Sequence, residues 1–311
     1  MNLSIVTTLY QSASHLSEFY RRVSAAAQSV TDRYEIILVN DGSPDSSLEA
    51  ALSLRAQDER IKVIDLSRNF GHHKAIMTGL AQAEGDLIFL LDCDLEEDPE
   101  LLPIFWGELK KTGADVIYGV QETRKGNWGE RVSGYLFYRL FNFLSNYPVP
   151  ANVLTARLMT RRYARQLIEH KDREVFLLGL WAITGFQQIP LTVPKHSRSP
   201  STYSLRRRIS ILVNAITSFS NRPLVYVFYL GCSISFFAGI AALYLVVRRL
   251  FFGEYLAGWP SLIVSIWLLG GLTIFCLGIL GVYLSKIFME TKPRPYTIIR
   301  RIYGPRKEGE E

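Results

Sequence analysis

The sequence predicts an α/β protein: a mainly parallel sheet flanked by helices, followed by an interfacial helix and a two-helix transmembrane hairpin. Three observations carry this expectation. Short apolar runs alternate with helical stretches of about a dozen residues, the pattern of βαβ units. Four of those runs end in polar clusters, at Thr7–Ser12, Asn40–Asp45, Ser67–Gly71 and Asp92–Asp98. Two long apolar stretches then occupy the C-terminal third.

Leu3 to Thr8 reads as the first strand, and Leu16 to Val30 carries helical spacing. Tyr34 to Val39 is a second buried strand, ending in Asn40-Asp41-Gly42-Ser43-Pro44-Asp45. Ile61 to Leu66 is a third; it runs into Ser67-Arg68-Asn69-Phe70-Gly71 before a helix from about His73 to Glu84. Leu87 to Leu91 is the fourth and ends abruptly in Asp92, Asp94, Glu96, Glu97 and Asp98. Glu97, Asp98 and Pro99 also suit the start of a helix from Glu100 to Lys111. A parallel sheet brings all four strand ends to one edge, where open α/β sheets bind ligands. Carboxylates crowded at such an edge are costly unless a hard cation neutralises them, and Asp92 and Asp94 are spaced to supply oxygen ligands. Turns and helix starts are also rich in Asp and Glu, so Asp-x-Asp alone leaves both readings open. With the other three clusters, it points to a divalent metal and a polyphosphate at the lip of the sheet.

Leu224 to Val247 and Trp259 to Leu284 are almost uninterrupted apolar sequence. Each is long enough to cross a hydrocarbon core of about 30 Å, and a soluble core helix of that length would be amphipathic. Arg206, Arg207, Arg208 and Arg222 precede the first span; Lys286, Lys292, Arg294, Arg300 and Arg301 follow the second. The connection between the spans holds only Arg248 and Arg249. The positive-inside rule then places the chain in the inner (plasma) membrane with its catalytic domain and both termini cytoplasmic. Met1 leads directly into a strand, so no signal peptide is expected.

The net charge of +6 and pI near 9.2 are concentrated beside the spans, where anionic headgroups attract them. No nucleic-acid motif or long basic tail accompanies the charge, so nucleic acid is not an expected partner. Leu205 to Ser220 alternates basic and apolar residues and is expected along the interface. The aromatic stretch Tyr135 to Tyr147 suits core packing or membrane contact. Cys93, Cys232 and Cys276 show neither paired nor metal-ligand spacing. The expected organisation is a catalytic domain over 1–204, an interfacial helix over 205–222, a hairpin over 223–285 and a basic tail over 286–311. The segment Pro293 to Tyr303 suits either packing back on the catalytic domain or trailing along the membrane.

Several stretches resemble the family 2 glycosyltransferases of GT-A (Rossmann-like) fold. Within them they resemble the membrane-anchored polyprenyl-phosphate glycosyltransferases related to dolichol-phosphate mannose synthase. The matching residues are Val39-Asn40-Asp41-Gly42-Ser43, Leu66-Ser67-Arg68-Asn69-Phe70-Gly71, and Asp92-x-Asp94-Leu95 with Pro99-Glu100 behind it. Arg157-Leu158-Met159, Phe176-x-x-Gly179-Leu180 and Ser218-Phe219-Ser220 extend the likeness over nearly the whole chain. The resemblance implies a nucleotide-sugar donor, a polyprenyl phosphate acceptor and transfer with inversion. It also implies that Asp41 receives hydrogen bonds from the nucleobase, with Thr7 and Tyr10 lining the base and ribose pocket. Arg68 and Asp92 complete the expected nucleotide site; Arg68 suits phosphate contact or an ion pair equally. Asp94 and Asp92 would hold Mg²⁺ or Mn²⁺ against the leaving diphosphate. Asp94, Glu96 and Arg157 are the expected catalytic residues. Arg206, Arg207, Arg208 and Arg222 are the expected holders of the acceptor phosphate. His72, His73 and Lys74 open a helix and suit a solvated start more than a phosphate site.

The chain departs from the family pattern in ways that bear on mechanism. Where relatives carry Gly-Asp-Phe-Arg-Leu, it reads Leu154-Thr155-Ala156-Arg157-Leu158. Gln after Asp-x-Asp-Leu is replaced by Glu96, and Ser-Lys-Tyr by Ser201-Thr202-Tyr203. The opening Pro-x-Tyr-Asn-Glu pattern has become Thr8-Leu9-Tyr10-Gln11-Ser12. A phosphate acceptor is already ionised at neutral pH and needs no strong general base, so an active enzyme with a changed donor is the preferred reading. The alternative is a catalytically decayed transferase domain that serves as a membrane scaffold or nucleotide-sugar binding protein. A processive polysaccharide synthase would need a larger helical channel, and two helices without buried charge offer no transport pathway. A lone hairpin has little membrane packing area, which is compatible with a homo-oligomer.

Overall fold

The computed structural model describes residues 1–121, 139–140, 142–144, 150, 152–173, 175–194, 213, 216–217, 220–252, 258–292 and 294–304. They fall into two units. One takes Met1–Arg139, Val149–Ser204 and Pro293–Glu311; the other takes Leu140–Pro148 and Leu205–Lys292.

The first unit is built on an eight-stranded sheet. Strands β1 (Leu3–Leu9), β2 (Tyr34–Asn40), β3 (Ile61–Leu66) and β4 (Leu87–Leu90) run parallel, with β1 between β4 and β2. Past β4 lie β6 (Val153–Thr160), antiparallel to it, then β5 (Val116–Gln121) and β7 (Gln188–Val193). At the other end β8 (Ile299–Tyr303) pairs antiparallel with β3. The expected GT-A-like sheet is therefore present, and the four predicted strand ends do share one edge. Of the segment Pro293 to Tyr303, whose placement the sequence left open, Ile299–Tyr303 packs back on the catalytic unit as the edge strand beside β3.

Every residue of β1 is buried, as a central parallel strand covered on both faces requires. Helices α1 (Ala13–Gln28), α2 (Ser47–Gln57) and α4 (Leu101–Thr112) cover one face. They bury Phe19, Val23, Leu54 and Phe105 against Ile5, Ile36, Leu38 and Phe89. Helix α3 (His72–Ala81) covers the opposite face. Its approach depends on Gly79, where an added Cβ would lie 2.5 Å from Val6 Cγ1 and 2.9 Å from Val39 Cγ2. Two shorter helices, α5 (Arg161–Glu169) and α6 (Leu177–Ile183), follow β6. Thr160 caps α5 by accepting the Tyr163 N–H.

The second unit contains α7 (Arg222–Phe252) and α8 (Trp259–Thr291). Both are long and apolar enough to cross a membrane, and the most apolar stretches, Arg222–Ala241 and Ser265–Thr291, have none of their length buried. Phe236, Phe237, Trp267 and Ile274 stand exposed, whereas a core helix of a soluble protein hides at least one apolar face. Within this unit, Tyr283 Oη donates to the Ser220 carbonyl (2.7 Å) and Arg222 Nη1 to the Phe143 carbonyl (2.6 Å). Arg206, Arg207 and Arg208, most of the expected interfacial helix and most of Tyr135–Tyr147 lie outside the described residues.

Candidate active site

Four loops meet at the carboxyl edge of β1 to β4, and they are tied to one another by backbone-directed side chains. After β1, the Gln11 N–H donates to Ser43 Oγ (2.8 Å), and the Ser12 N–H to Ser47 Oγ (2.9 Å). Asp45 in turn accepts from the Ala13 N–H (3.2 Å) and from the hydroxyls of Ser43 (2.5 Å) and Ser47 (2.6 Å). Desolvation pulls the Asp45 carboxyl upward, but these hydrogen bonds outweigh it and hold it down to about 2. The loop after β2 is tied to the loop after β3 by Asp41, whose two carboxylate oxygens accept from the N–H groups of Phe70 (2.7 Å) and Gly71 (3.0 Å). Gly42, at φ +57°, lies so close to the Arg68 and Asn69 backbone that no Cβ fits there.

Arg68 is exposed on this edge. It donates to the Asn69 carbonyl (2.9 Å), and its guanidinium lies 4.1 Å from the centre of the Phe70 ring. Tyr10, on the loop after β1, is 49% exposed, whereas Thr7 is fully buried in β1. Asp41 is buried too, with its carboxylate turned to the Phe70 and Gly71 backbone of the loop that carries Arg68.

The six carboxylates between Asp92 and Glu100 separate into two groups. Arg22 of α1 binds Asp98 (2.7 Å) and Glu100 (2.9 Å), anchoring the helix start to its neighbour. Glu97 is buried and accepts the N–H groups of Thr155 (3.1 Å) and Ala156 (2.6 Å) on β6. These three are occupied in holding the loop to the fold. Asp92, Asp94 and Glu96 form the other group and reach the surface. Between Asp94 and Glu96, Leu95 is fully buried yet takes a left-handed conformation (φ +60°). Such strain in a non-glycine residue persists only where packing enforces it. Asp94 Oδ1 accepts the Glu96 N–H (2.9 Å), which closes the turn.

The helix start after the third loop joins this group. His72 Nε2 is 3.4 Å from Asp92 Oδ1, and its Nδ1 is 3.0 Å from Thr8 Oγ1. His73 instead points back to the Val175 carbonyl (3.2 Å), and burial holds its imidazole below the ordinary value. Cys93 donates to the Thr8 carbonyl (3.1 Å), and burial pushes its thiol up to about 12. Among the described residues no group of three or more His, Cys, Asp or Glu side chains is arranged as a protein-only metal cage. Two surface carboxylates with hard oxygen donors nonetheless fit a cation that completes its shell with substrate phosphates and water, as Mg²⁺ sites commonly do.

Arg157 is placed differently from the rest. It is 1% exposed, packs over the Trp181 ring, and donates to the Leu154 (3.2 Å) and Thr155 (3.3 Å) carbonyls. Burial lowers its guanidinium to about 9, against the opposing charge of Glu97. Sequence reasoning missed Glu97 as a brace, His72 as the neighbour of Asp92, and Arg22. No local signal marks Glu97, because its partners are 58 and 59 residues away.

The site combines a GT-A-like sheet, a polar carboxyl edge and an Asp-x-Asp pair that reaches the surface, a frame compatible with a transferase that uses a nucleotide donor. Residues 4–168 match the model of glycosyl transferase family 2, and the chain belongs to that family. A Mycobacterium tuberculosis protein described among the glycosyltransferases is 54% identical over 304 residues, 98% of this chain and 89% of that one. The prophage bactoprenol glucosyl transferase homolog of Escherichia coli is 29% identical over 305 residues, 97% of this chain and 99% of that one. Among solved structures, glucosyl-3-phosphoglycerate synthase from M. tuberculosis, in complex with Mn²⁺, UDP-glucose and phosphoglyceric acid, superposes with a TM-score of 0.51 at 18% identity. The match covers 70% of this chain and 77% of that one, and shows a shared fold. The chain is thus an enzyme that transfers sugar from a nucleotide donor.

Proposed function

We propose that the enzyme transfers its sugar to a polyprenyl phosphate in the membrane, with inversion and with the help of Mg²⁺ or Mn²⁺. The observation that carries this reading is β8. The chain leaves the catalytic unit, passes through two apolar helices, and returns to pair with β3 of the same sheet. Both ends of the hairpin lead to one domain, which supports placing them on one side of a bilayer. The excess of Arg and Lys at those ends supports the cytoplasm as that side. A catalytic domain fastened to the membrane twice is suited to an acceptor that lives there, and the E. coli relative is named for bactoprenol.

Asp92 and Asp94, with Glu96 beside them, would hold the divalent cation. When bound, it supplies positive charge to a diphosphate leaving group. Arg68 and Tyr10 line the exposed rim for the donor, and Asp41 shapes the loop carrying Arg68. His72 orients Asp92. We give Arg157 a positioning part in place of a catalytic one: it holds the Leu154 and Thr155 carbonyls of β6, the stretch whose Thr155 and Ala156 N–H groups Glu97 ties to the acidic loop. An ionised phosphate oxygen of the acceptor forms the new bond to the anomeric carbon as the bond to the nucleoside diphosphate breaks. Arg222 and the arginines at 206–208 are the proposed acceptor-phosphate contacts.

The test is transfer of radiolabelled sugar from UDP-, GDP- and dTDP-sugars to undecaprenyl phosphate by the purified full chain with Mg²⁺ or Mn²⁺. Label in the organic phase that disappears with Asp94→Ala is the expected result. Nucleotide binding without transfer from any donor would favour the scaffold reading, and absence of nucleotide binding would remove the donor site itself.

A further inference from the structure

We infer that Arg300, on the strand that follows the second apolar helix, is a positioning residue for nucleotide-donor binding. This rests on the reading of the carboxyl edge as the donor site. The register of β8 on β3 pairs Ile302 with Ile64 and Arg301 with Asp65, then shifts so that Ile299 pairs with Leu66. Arg300 is the extra residue of that irregularity. A bulge re-aims the side chain it carries, and here it turns the guanidinium toward the root of the third loop. Nη1 lies 3.1 Å from Asp65 Oδ2, and Nη2 donates to the Ser67 carbonyl at 2.7 Å. The Ser67 N–H is itself held by the Ile298 carbonyl (2.9 Å). The first residue of the Ser67–Gly71 loop is thus gripped on both its backbone groups by the C-terminal segment.

The same contact reaches the second loop. Asp65 is buried, and its other oxygen accepts from Asn40 Nδ2 (2.8 Å), the residue opposite it on β2. Asn40 Oδ1 accepts the Ser43 N–H (3.3 Å) in the turn after β2. One cation therefore fixes a chain of groups, Arg300–Asp65–Asn40–Ser43, that starts on β8 and ends in the Asn40–Asp45 loop. Asp41 and Gly42 lock those two loops to each other immediately above. Charge-assisted bonds to a buried carboxylate are the strong members of such a network. Removing Arg300 leaves the Asp65 carboxylate buried beside Asn40 alone and releases the Ser67 carbonyl, which loosens both loop roots. The consequence is that donor affinity depends on the strand that follows the second apolar helix in the chain.

The experiment is titration of UDP, GDP and dTDP with Mg²⁺ into the full chain in detergent micelles, using wild type, Arg300→Ala, Arg300→Lys and Arg301→Ala. Arg301 is the control, a neighbouring cation on the same strand whose guanidinium lies over the Tyr303 ring (5.0 Å). Arg300→Ala is expected to weaken nucleotide binding about tenfold, to raise donor KM by a like factor, and to leave kcat at saturating donor near wild type. Arg300→Lys, which keeps the charge beside Asp65 and loses the fork to Ser67, is expected to fall between; it also decides the matter should Arg300→Ala not fold. Arg301→Ala is expected to bind as wild type does. Equal binding by wild type and both Arg300 variants would overturn the inference. So would equal losses in the Arg300 and Arg301 variants. A wild-type protein that binds none of the three nucleotides would overturn it together with the donor-site reading beneath it.

Discussion

At the scale of single residues, environment separates groups that look alike in the sequence. Asp98 and Glu100 are held by Arg22, Glu97 by the backbone of β6, while Asp92 lies beside His72 and Asp94 closes the turn at the Glu96 N–H. Glu96 stands next to the proposed cation ligands and adds a negative charge that the family's Gln lacks. Glu96→Gln is therefore expected to change the transfer rate or the preferred donor in the radiolabel assay; identical kinetics across the donor panel would remove Glu96 from the mechanism. Cys93, one residue from the same pair, behaves in the opposite way. Buried, bonded to the Thr8 carbonyl and with its thiol raised to about 12, it holds almost no thiolate at neutral pH. It should resist iodoacetamide at pH 8 in the native protein and react after denaturation, as mass spectrometry of the peptide will report.

At the scale of elements, the close approach of α3 to β1 and β2 sets where His72 meets Asp92. Gly79 permits that approach, and the two valines facing it leave no room for a methyl group. Gly79→Ala raises helix propensity by about 1 kcal/mol, yet overpacking a tight contact costs about 1–3 kcal/mol. Both effects are of similar size, but a Cβ at 2.5 Å from Val6 Cγ1 and 2.9 Å from Val39 Cγ2 forces the valines or the helix to shift. Net destabilisation of about 1 kcal/mol is expected, seen as a lower denaturation midpoint. A midpoint above wild type would mean that α3 shifts outward at little cost. The β8 strand works at this scale as well: it covers the edge of β3, which would otherwise present unpaired backbone groups.

At the scale of the molecule, the catalytic unit carries several carboxylates held below their ordinary values. Asp45 is brought to about 2 by hydrogen bonds that outweigh its desolvation. Asp58 is lowered likewise by Arg60, also against desolvation. Glu100 is lowered chiefly by Arg22, and Asp115 chiefly by Arg162. A carboxyl whose folded pKa is depressed contributes stability that is fully present above its unfolded value near 4. That contribution is lost as pH falls through the folded value, so the unit should lose stability progressively between about pH 4 and pH 2. Chemical denaturation at stepped pH in detergent will show it; a flat midpoint across that window would mean that these pairs persist equally in the unfolded chain.

The sequence by itself determined the alternation of strands and helices, the gathering of four polar clusters at one edge, and the two apolar helices. Each of these depends on periodicity or on a local run of residues. The family was legible too, in the order of Asn40-Asp41-Gly42, Arg68-Asn69-Phe70-Gly71 and Asp92-x-Asp94. Tertiary structure alone decided which carboxylates are tied to the fold, because Arg22 and the β6 backbone reach them from distant parts of the chain. It also decided that Arg157 packs over Trp181 inside the fold, and that Ile299–Tyr303 is a strand. Ile299 to Tyr303 pairs with β3, more than two hundred residues earlier. Partner choice in a sheet edge depends on which backbone groups remain unpaired once the rest of the chain has folded, and no local pattern in either strand encodes that.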